Sequence, residues 1–202
     1  MALHASGTHL ARLERRCGRA LAAAAEAVIA CLEGGGTVYF CGNGGSAADA
    51  QHLAAELAGR YLVDRPALAA VALTTNSSAL TAIGNDYGFD DVFGRQLEAL
   101  GSPGDLLVAI TTSGRSPNVL RAVEVAHGLG MLVIGMTGES GRRLATLCDF
   151  VLMTPSRVTP RIQEGHIALG HALCELVERA MFGSGASRAR NLSRRARRAE
   201  RS

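Results

Sequence analysis

Long stretches with a helical spacing of apolar residues lie near both ends of the chain. From about residue 9 to residue 33, apolar side chains recur every three or four positions without an intervening proline. This spacing predicts one amphipathic helix, which the three glycines at 34–36 would end. A second long helix is predicted from Pro160 to Phe182, because Thr159 is a suitable N-cap and proline is favoured at the first helical position.

Between these helices the pattern changes to short, continuous apolar runs, which are typical of strands covered on both faces. Five such runs occur, namely TVYFC from residue 37, LAAVAL from 68, LLVAI from 106, MLVIGM from 131 and FVLM from 150. Helices are predicted after several of them, at about 47–58, 117–129 and 142–147. Alternating strands and helices indicate a parallel sheet with right-handed crossovers. The predicted fold class is therefore α/β, with a five-stranded parallel sheet flanked by helices.

The overall composition fits one globular domain with a sizeable core. The 202 residues are 48% hydrophobic and 19% charged. No apolar run approaches the ~20 residues that a membrane-spanning helix needs, and the N-terminus lacks the apolar core of a secretory signal. Five cysteines without a CxxC pair indicate reduced, packed thiols rather than a cysteine-based zinc site. We therefore expect a cytoplasmic protein without a membrane partner.

The positive charge is concentrated at the C-terminal end of the chain. Seven of the 21 basic residues, all arginine, lie between Ser187 and Ser202 together with one glutamate. The net charge of +3 thus belongs to this segment and not to the fold. Such runs can contact nucleic acid nonspecifically, but basic chain ends are usually solvated. We expect a domain at 1–183, an arginine-rich, disordered tail at 184–202, and no specific nucleic-acid partner.

Two loops rich in glycine and hydroxyl groups leave predicted strands and enter predicted helices. They are GNGGS at 42–46 and TTSGRS at 111–116. Ligands of parallel sheets gather beyond the carboxyl ends of the strands, and a helix N-terminus offers free N–H groups to an anion. The first loop matches neither a Walker loop nor a dinucleotide-binding fingerprint. Each alone could be a simple tight turn, but two together predict a phosphate site.

Side chains that bind metals or move protons lie on two predicted helices. His52 and Glu56 are four apart, so they share one helix face, and both can bind zinc. This spacing is common, and by itself it favours an ordinary helix-stabilising pair. Gln163 and His171 are eight apart, roughly 12 Å along the helix axis. One ion could reach both only through extended side chains, if the helix began after Gln163, or if two copies of the chain contributed. His166 lies off that line and is expected to be an ordinary core or surface histidine.

Four segments, in this order, give the chain a resemblance to a known family. They are CGNGGSAADAQHLAAELAGRY at 41–61, AIGNDYGF at 82–89, TTSGRSPNV at 111–119 and RIQEGHIALGH at 161–171. Over about residues 10–182 the chain resembles the SIS (sugar isomerase) domain family, and within it the phosphoheptose isomerases. The resemblance implies a flavodoxin-like three-layer sandwich. It also implies conversion of sedoheptulose 7-phosphate to D-glycero-D-manno-heptose 7-phosphate through an enediol, for nucleotide-activated heptose biosynthesis.

The resemblance also implies roles for individual residues. Glu56 and His171 match the acid–base pair of the family. One Zn²⁺ per subunit is implied, and its ligands would be His52, Glu56, Gln163 and His171. Contacts with the substrate, a phosphorylated seven-carbon sugar, are implied for Asn43, Gly44, Gly45, Ser46, Glu56, Asn85, Asp86, Thr111, Thr112, Ser113, Ser116 and Gln163. A homotetramer with sites at subunit interfaces is implied as well. Three residues, Thr111, Arg115 and Pro160, differ from those common in the family.

A second hypothesis comes from a different functional class. Some SIS proteins are not enzymes, and one of them binds the bacterial replication initiator and resembles this chain over the same length. That group lacks the glutamate at position 56 and the histidine at position 171. This chain has both, which favours the enzyme. A sugar-phosphate-sensing regulator would need a DNA-binding domain, and the roughly 35 residues before the first strand form one predicted helix instead.

Overall fold

The computed structural model describes residues 2–183. The predicted tail at 184–202 lies outside these residues. The described elements follow one another in the order α1 (Ala2–Glu33), β1 (Val38–Gly42), α2 (Gly45–Ala58), β2 (Ala70–Ala72), α3 (Ser77–Asp86), a 3₁₀ helix (Phe89–Asp91), α4 (Gly94–Leu100), β3 (Leu106–Ile110), α5 (Pro117–Gly128), β4 (Leu132–Gly138), α6 (Arg142–Ala145), β5 (Phe150–Thr154) and α7 (Thr159–Phe182). No helix within residues 2–183 is long and apolar enough to cross a bilayer.

All five strands are parallel and form one sheet in the order β2-β1-β3-β4-β5. The prediction of a five-stranded parallel sheet is therefore confirmed. In the register between β1 and β3, Val38 pairs with Leu106 and Gly42 pairs with Ile110. Because these two strands end side by side, the two glycine- and hydroxyl-rich loops that follow them start next to each other.

Helices cover both faces of the sheet, so three layers form around two apolar clusters. Every residue of β1 and β3 is buried. Phe40 and Val108 pack against the layer that contains α1, α2 and α7. Tyr39 and Leu107 face the other layer, in which α4 and α5 lie. The two helices that carry His52, Glu56, Gln163 and His171 therefore belong to the same layer.

Some boundaries differ from the prediction. The predicted strand at 68–73 shortens to Ala70–Ala72, because only these three residues pair with β1. Thr159 is not the N-cap of α7, so that prediction was wrong. Val158 occupies the cap position with an extended backbone, and Thr159 is already helical. Pro160 therefore lies one residue beyond the first helical position, still within the first turn, where its missing N–H costs no hydrogen bond.

His166 is a core histidine, fully buried near the start of α7. Burial lowers the pKa of His166 to about 4, and the nearby backbone of Thr137 opposes the shift only in part. The unfolded chain binds this proton near the ordinary value of about 6.5. As the pH falls from 6.5 to 4, the unfolded state therefore gains a proton that the folded state excludes, and the free energy of unfolding must fall.

We expect the wild type to lose about 2 kcal/mol more stability than His166→Gln between pH 7.5 and pH 5, because glutamine does not titrate. Denaturant unfolding of both proteins at the two pH values measures this difference. Carboxylates and the other histidines titrate in both proteins, so their contributions cancel in the comparison. An identical pH dependence in the two proteins would show that His166 binds its proton equally well in the folded state.

Candidate active site

Helices α2 and α7 approach each other closely where the predicted metal ligands lie. A Cβ atom at Gly170 would lie 2.6 Å from both Cδ atoms of Leu53, so the contact leaves no room for a side chain at position 170. Leu53 and Gly170 are the chain neighbours of His52 and His171. The absence of a side chain at Gly170 thus lets the two helices bring these histidines together.

The structure gathers three of the four predicted metal ligands within one chain. His52 Nε2 lies 2.8 Å from His171 Nε2 and 3.3 Å from Glu56 Oε1. The three candidate ligand atoms all lie within 4.8 Å of one another. The side chain of His52 is 47% exposed and that of Glu56 is 21% exposed, so a small molecule can reach the cluster. An imidazole and a carboxylate this close together can exchange protons with a bound substrate.

Two further residues, Tyr61 and Asp49, border this cluster, and neither was predicted to have a role. The ring of Tyr61 lies 5.8 Å from that of His171, measured between centroids. Asp49 precedes His52 by one helical turn, so it shares the face of His52 and Glu56. Burial raises the pKa of the Asp49 carboxyl, while the nearby His52 and His171 rings oppose the rise. The i, i+3, i+7 spacing of Asp49, His52 and Glu56 was the available sequence signal.

The residues present fit a divalent cation such as zinc. Two imidazoles and one carboxylate are a donor set that catalytic zinc sites use, with a further position left for water or substrate. In addition, Asp49 Oδ2 is buried and has no hydrogen-bond partner among the described residues. Positive charge near the two histidines would stabilise the ionised form of this partly buried Asp49 carboxylate. Both observations agree with a cation held by His52, Glu56 and His171.

Gln163 lies at the other end of the contact between the two helices. A side chain at Gly45 would collide with the amide of Gln163, so this amide covers the first turn of α2. The helix α7 begins at Thr159, which excludes the possibility that it starts after Gln163. Within one chain, Gln163 therefore contacts the glycine-rich loop and His171 contacts His52, because α2 and α7 run in the same direction.

The two candidate phosphate loops are joined by a reciprocal pair of amides. Asn43 Nδ2 donates to Asn118 Oδ1 at 2.8 Å, and Asn118 Nδ2 donates to Asn43 Oδ1 at 2.9 Å. Asn118 is only 1% exposed and lies in the first turn of α5. The sequence resemblance implies a substrate contact for Asn43 but no role for Asn118. Its position directly after the hydroxyl loop was the only local signal.

Each candidate phosphate loop has features that would suit a small anion. Gly44, which caps α2, has φ +55, a value that favours glycine. The hydroxyl groups of Thr111 and Ser116 lie 2.9 Å apart across the second loop. Ser113 is exposed and Thr112 is half-buried, so hydroxyl groups remain accessible on this loop. With α2 and α5 both starting here, N–H groups from two helix N-termini face the same end of the sheet.

The predicted substrate residues Asn85 and Asp86 occupy a different place. They end α3, are exposed, and Asn85 Nδ2 donates a hydrogen bond to Asp86 Oδ1 at 2.8 Å. The exposed aromatic residues Tyr87 and Phe89 follow them. Within one chain, Asn85 and Asp86 therefore lie on an exposed surface, and their contact with substrate stays a prediction.

We expect Asn118→Asp to raise the KM for a phosphorylated substrate by about 10- to 100-fold, the effect of leaving buried polar groups unpaired. The new carboxylate cannot donate to Asn43 Oδ1, and its charge repels the incoming anion. Steady-state kinetics measure KM, and inorganic phosphate as a competitive inhibitor should weaken in parallel. Asp149→Asn, a change at an exposed site on another part of the surface, is the control. An unchanged KM in Asn118→Asp would show that the amide pair does not shape the anion site.

Comparison with known proteins places this geometry in a family. The SIS domain family matches residues 3–138. A phosphoheptose isomerase from Rhodospirillum rubrum is 60% identical over 165 residues, which is 82% of this chain and 88% of that protein. The solved structure of a phosphoheptose isomerase from Neisseria gonorrhoeae has a TM-score of 0.83 at 48% identity, and covers 88% of this chain and 95% of that one. A Francisella tularensis phosphoheptose isomerase has a TM-score of 0.85 at 41% identity, with the same coverage.

Fold and site together define a sugar-isomerase type of protein, and the chain belongs to the SIS domain family. Within that family it falls among the phosphoheptose isomerases, as the identities over most of both chains show. The three-layer arrangement implied by the sequence resemblance is thereby confirmed.

Proposed function

We propose that the chain isomerises sedoheptulose 7-phosphate to D-glycero-D-manno-heptose 7-phosphate. The observation that carries the proposal is the convergence of Glu56 and His171 from two helices, with His52, within 4.8 Å. High identity to named phosphoheptose isomerases supports the same reaction. The product would enter nucleotide-activated heptose biosynthesis.

The reaction needs one group to move a carbon-bound proton and another to serve the oxygens. Glu56 takes the proton from C1 of the ketose, and the electron pair of that bond forms the C1–C2 double bond of an enediol. His171 gives a proton to the C2 oxygen and accepts one from the C1 oxygen. Glu56 then returns its proton to C2, which leaves the aldehyde at C1. Each group ends in its starting protonation state, so the cycle is balanced.

A zinc ion, one per subunit, would be held by His52, Glu56 and His171, with Gln163 as the fourth ligand implied by the family. Each of the three would bind through one atom, which would leave the second carboxylate oxygen of Glu56 and the second ring nitrogen of His171 for the proton transfers. When bound, zinc polarises the carbonyl and stabilises negative charge on the enediolate oxygens. The convergence of the three side chains supports this part of the proposal. Gln163 would need to turn from its contact with Gly45 toward the cluster, or it would bind the substrate instead.

The distance between the two parts of the site suits a long sugar phosphate. The substrate phosphate would bind at the loop formed by Thr111, Thr112, Ser113 and Ser116, with Asn43, Gly44, Gly45 and Ser46 beside it. His52 follows Gly45, the first residue of α2, by seven residues, roughly 10 Å along the helix axis. A seven-carbon chain has its phosphate and its reacting carbons at opposite ends. Binding energy from the phosphate would thus position C1 and C2 at Glu56.

A homotetramer forms part of the proposal. The exposed aromatic residues Tyr87 and Phe89 favour burial against another copy of the chain. That contact would carry Asn85 and Asp86 toward a neighbouring subunit, where they could contact its substrate. The activity is assigned to residues 1–183, because the proposed site residues lie between 43 and 171. A cytoplasmic location agrees with the free state of all five cysteines.

The alternative of a non-catalytic SIS protein that binds the replication initiator gains no support. Relatives with 54–60% identity carry the name phosphoheptose isomerase. The acidic and imidazole groups that such a protein lacks are present here, and they face each other.

Incubation of the purified chain with sedoheptulose 7-phosphate tests the proposed reaction. We expect an aldoheptose 7-phosphate to form. Chromatography separates it from the ketose, which has the same mass, and NMR identifies it. Treatment with a chelator should stop turnover, and added Zn²⁺ should restore it. Absence of product with metal-loaded protein would overturn the proposed function, whereas turnover that resists chelation would remove only the metal from it.

A further inference from the structure

A buried ion pair lies outside the site, between the end of α2 and α7. Arg65 Nε lies 3.0 Å from Glu178 Oε2, and the two side chains are only 1% and 5% exposed. None of the roles proposed above uses this pair. Its contacts lead, however, to both halves of the proposed catalytic pair.

Arg65 binds the backbone of the helix that carries Glu56. Its Nη2 donates to the carbonyl oxygen of Glu56 at 2.7 Å, and its Nη1 donates to that of Leu57 at 2.9 Å. These carbonyls belong to the last turn of α2, where intrahelical partners are missing. The planar guanidinium thus caps the helix C-terminus with a positive charge, which its dipole favours. It fixes the main chain at Glu56 itself.

Glu178 holds the segment that follows α2 against the helix that carries His171. Its carboxylate accepts hydrogen bonds from the backbone N–H groups of Tyr61, Leu62 and Val63, at 2.9–3.1 Å. One residue of that segment, Tyr61, places its ring against His171. Glu178 also follows His171 by seven residues, two turns along the same helix face. The carboxylate therefore ties the loop at 61–63, α2 and the His171 face of α7 together.

Stability alone does not explain a charged pair at this place. Taking two charges out of water costs several kcal/mol each, and well-packed apolar residues often stabilise a protein as well or better. An apolar pair could not bind two helix carbonyls and three N–H groups at fixed angles. The arrangement gives directional control over the two elements whose side chains must meet.

We propose that Arg65 and Glu178 are positioning residues that hold Glu56 and His171 at their working separation. The inference rests on the proposed function, because it concerns the same catalytic pair. Arg65 and Glu178 would support the site through hydrogen bonds to the backbone, without contacting the substrate or the metal.

Glu178→Gln and Arg65→Lys test the proposal. Glutamine lacks the negative charge that faces Arg65, and it keeps only one of the two oxygens that accept the hydrogen bonds of Glu178. Lysine keeps the charge of Arg65 but not the fork that reaches both carbonyls. In both variants we expect kcat to fall about 10- to 100-fold while KM changes less than threefold. Zn²⁺ affinity, measured by competition with a chelating dye, should fall by a similar factor, as is usual when groups supporting metal ligands are lost.

Val123→Ala is the matched structural control. Val123 is buried on the opposite face of the sheet, so its truncation lowers stability without touching α2 or α7. All proteins are compared at a temperature where each is folded by circular dichroism. If a Glu178 variant does not fold, Arg65→Lys decides the question.

The proposal is overturned if the variants match Val123→Ala in kcat and in Zn²⁺ affinity. A wild type that binds Zn²⁺ but does not isomerise the heptose phosphate would instead refute the proposed function. In that case the affinity comparison still decides whether Arg65 and Glu178 position the cluster, so the two failures are distinguishable.

Discussion

Glu56→Gln is expected to lower kcat for isomerisation by about 10²- to 10⁴-fold, the usual contribution of a positioned general base. Glutamine has nearly the same shape as glutamate and keeps a carbonyl oxygen, but it cannot accept the proton from C1. The fold should survive. Glu56 is partly exposed and its pairing with His52 is an i, i+4 contact, which contributes only about 0.2–0.5 kcal/mol.

Product formation from sedoheptulose 7-phosphate measures the change in kcat, and a thermal melt together with gel filtration checks fold and assembly. Glu124→Gln is a suitable control, because Glu124 is an exposed residue of α5 with a loose 3.7 Å contact to Arg121. The control should turn over at the wild-type rate. Retained activity in Glu56→Gln, with Zn²⁺ in excess, would remove Glu56 from the mechanism.

His171→Gln is expected to lose both activity and metal binding. We expect kcat to fall about 10²- to 10⁴-fold, because no group then exchanges protons with the two oxygens. The imidazole that faces His52 at 2.8 Å is lost as well, so bound Zn²⁺, measured by elemental analysis after dialysis, should fall well below one per chain. The effect on metal content separates this variant from a merely misfolded one when its melt is normal.

His127→Gln serves as the control for the loss of an imidazole. His127 lies at the end of α5, is exposed, and contacts Asp149 at 3.2 Å, so its replacement should change neither kcat nor metal content. The role of His171 would be refuted by normal Zn²⁺ content and normal turnover in His171→Gln. Normal metal content with lost turnover would instead restrict His171 to proton transfer.

Most of the fold could be predicted from local patterns. Continuous apolar runs are typical of strands covered on both faces, and β3 at Leu106–Ile110 matches its predicted run residue by residue. The segment 77–100 gave no such signal. Its first helix, α3, buries none of its residues fully and packs against the core only through Leu80 and Ile83, and neither it nor α4 was predicted.

The candidate site, like the fold, could be predicted only where the signal in the sequence is local. Glycine, hydroxyl, imidazole and carboxylate groups are visible along the chain because the chemistry of a loop or of an i, i+4 pair is local. The sequence by itself therefore determined the parallel α/β fold, the positions of the two candidate phosphate loops and the placement of His52 and Glu56 on one helix face. It left open how Gln163 and His171, eight residues apart, could serve one site.

Only the tertiary structure decided how these parts meet. Parallel packing of α2 and α7 brings Gln163 to the first loop and His171 to His52, so each meets a different part of α2. The contact between Asn43 and Asn118 spans 75 residues, and that between Arg65 and Glu178 spans 113. The physical reason is that such contacts depend on the path of the chain through space, and no local period or propensity records which distant residue a side chain will find.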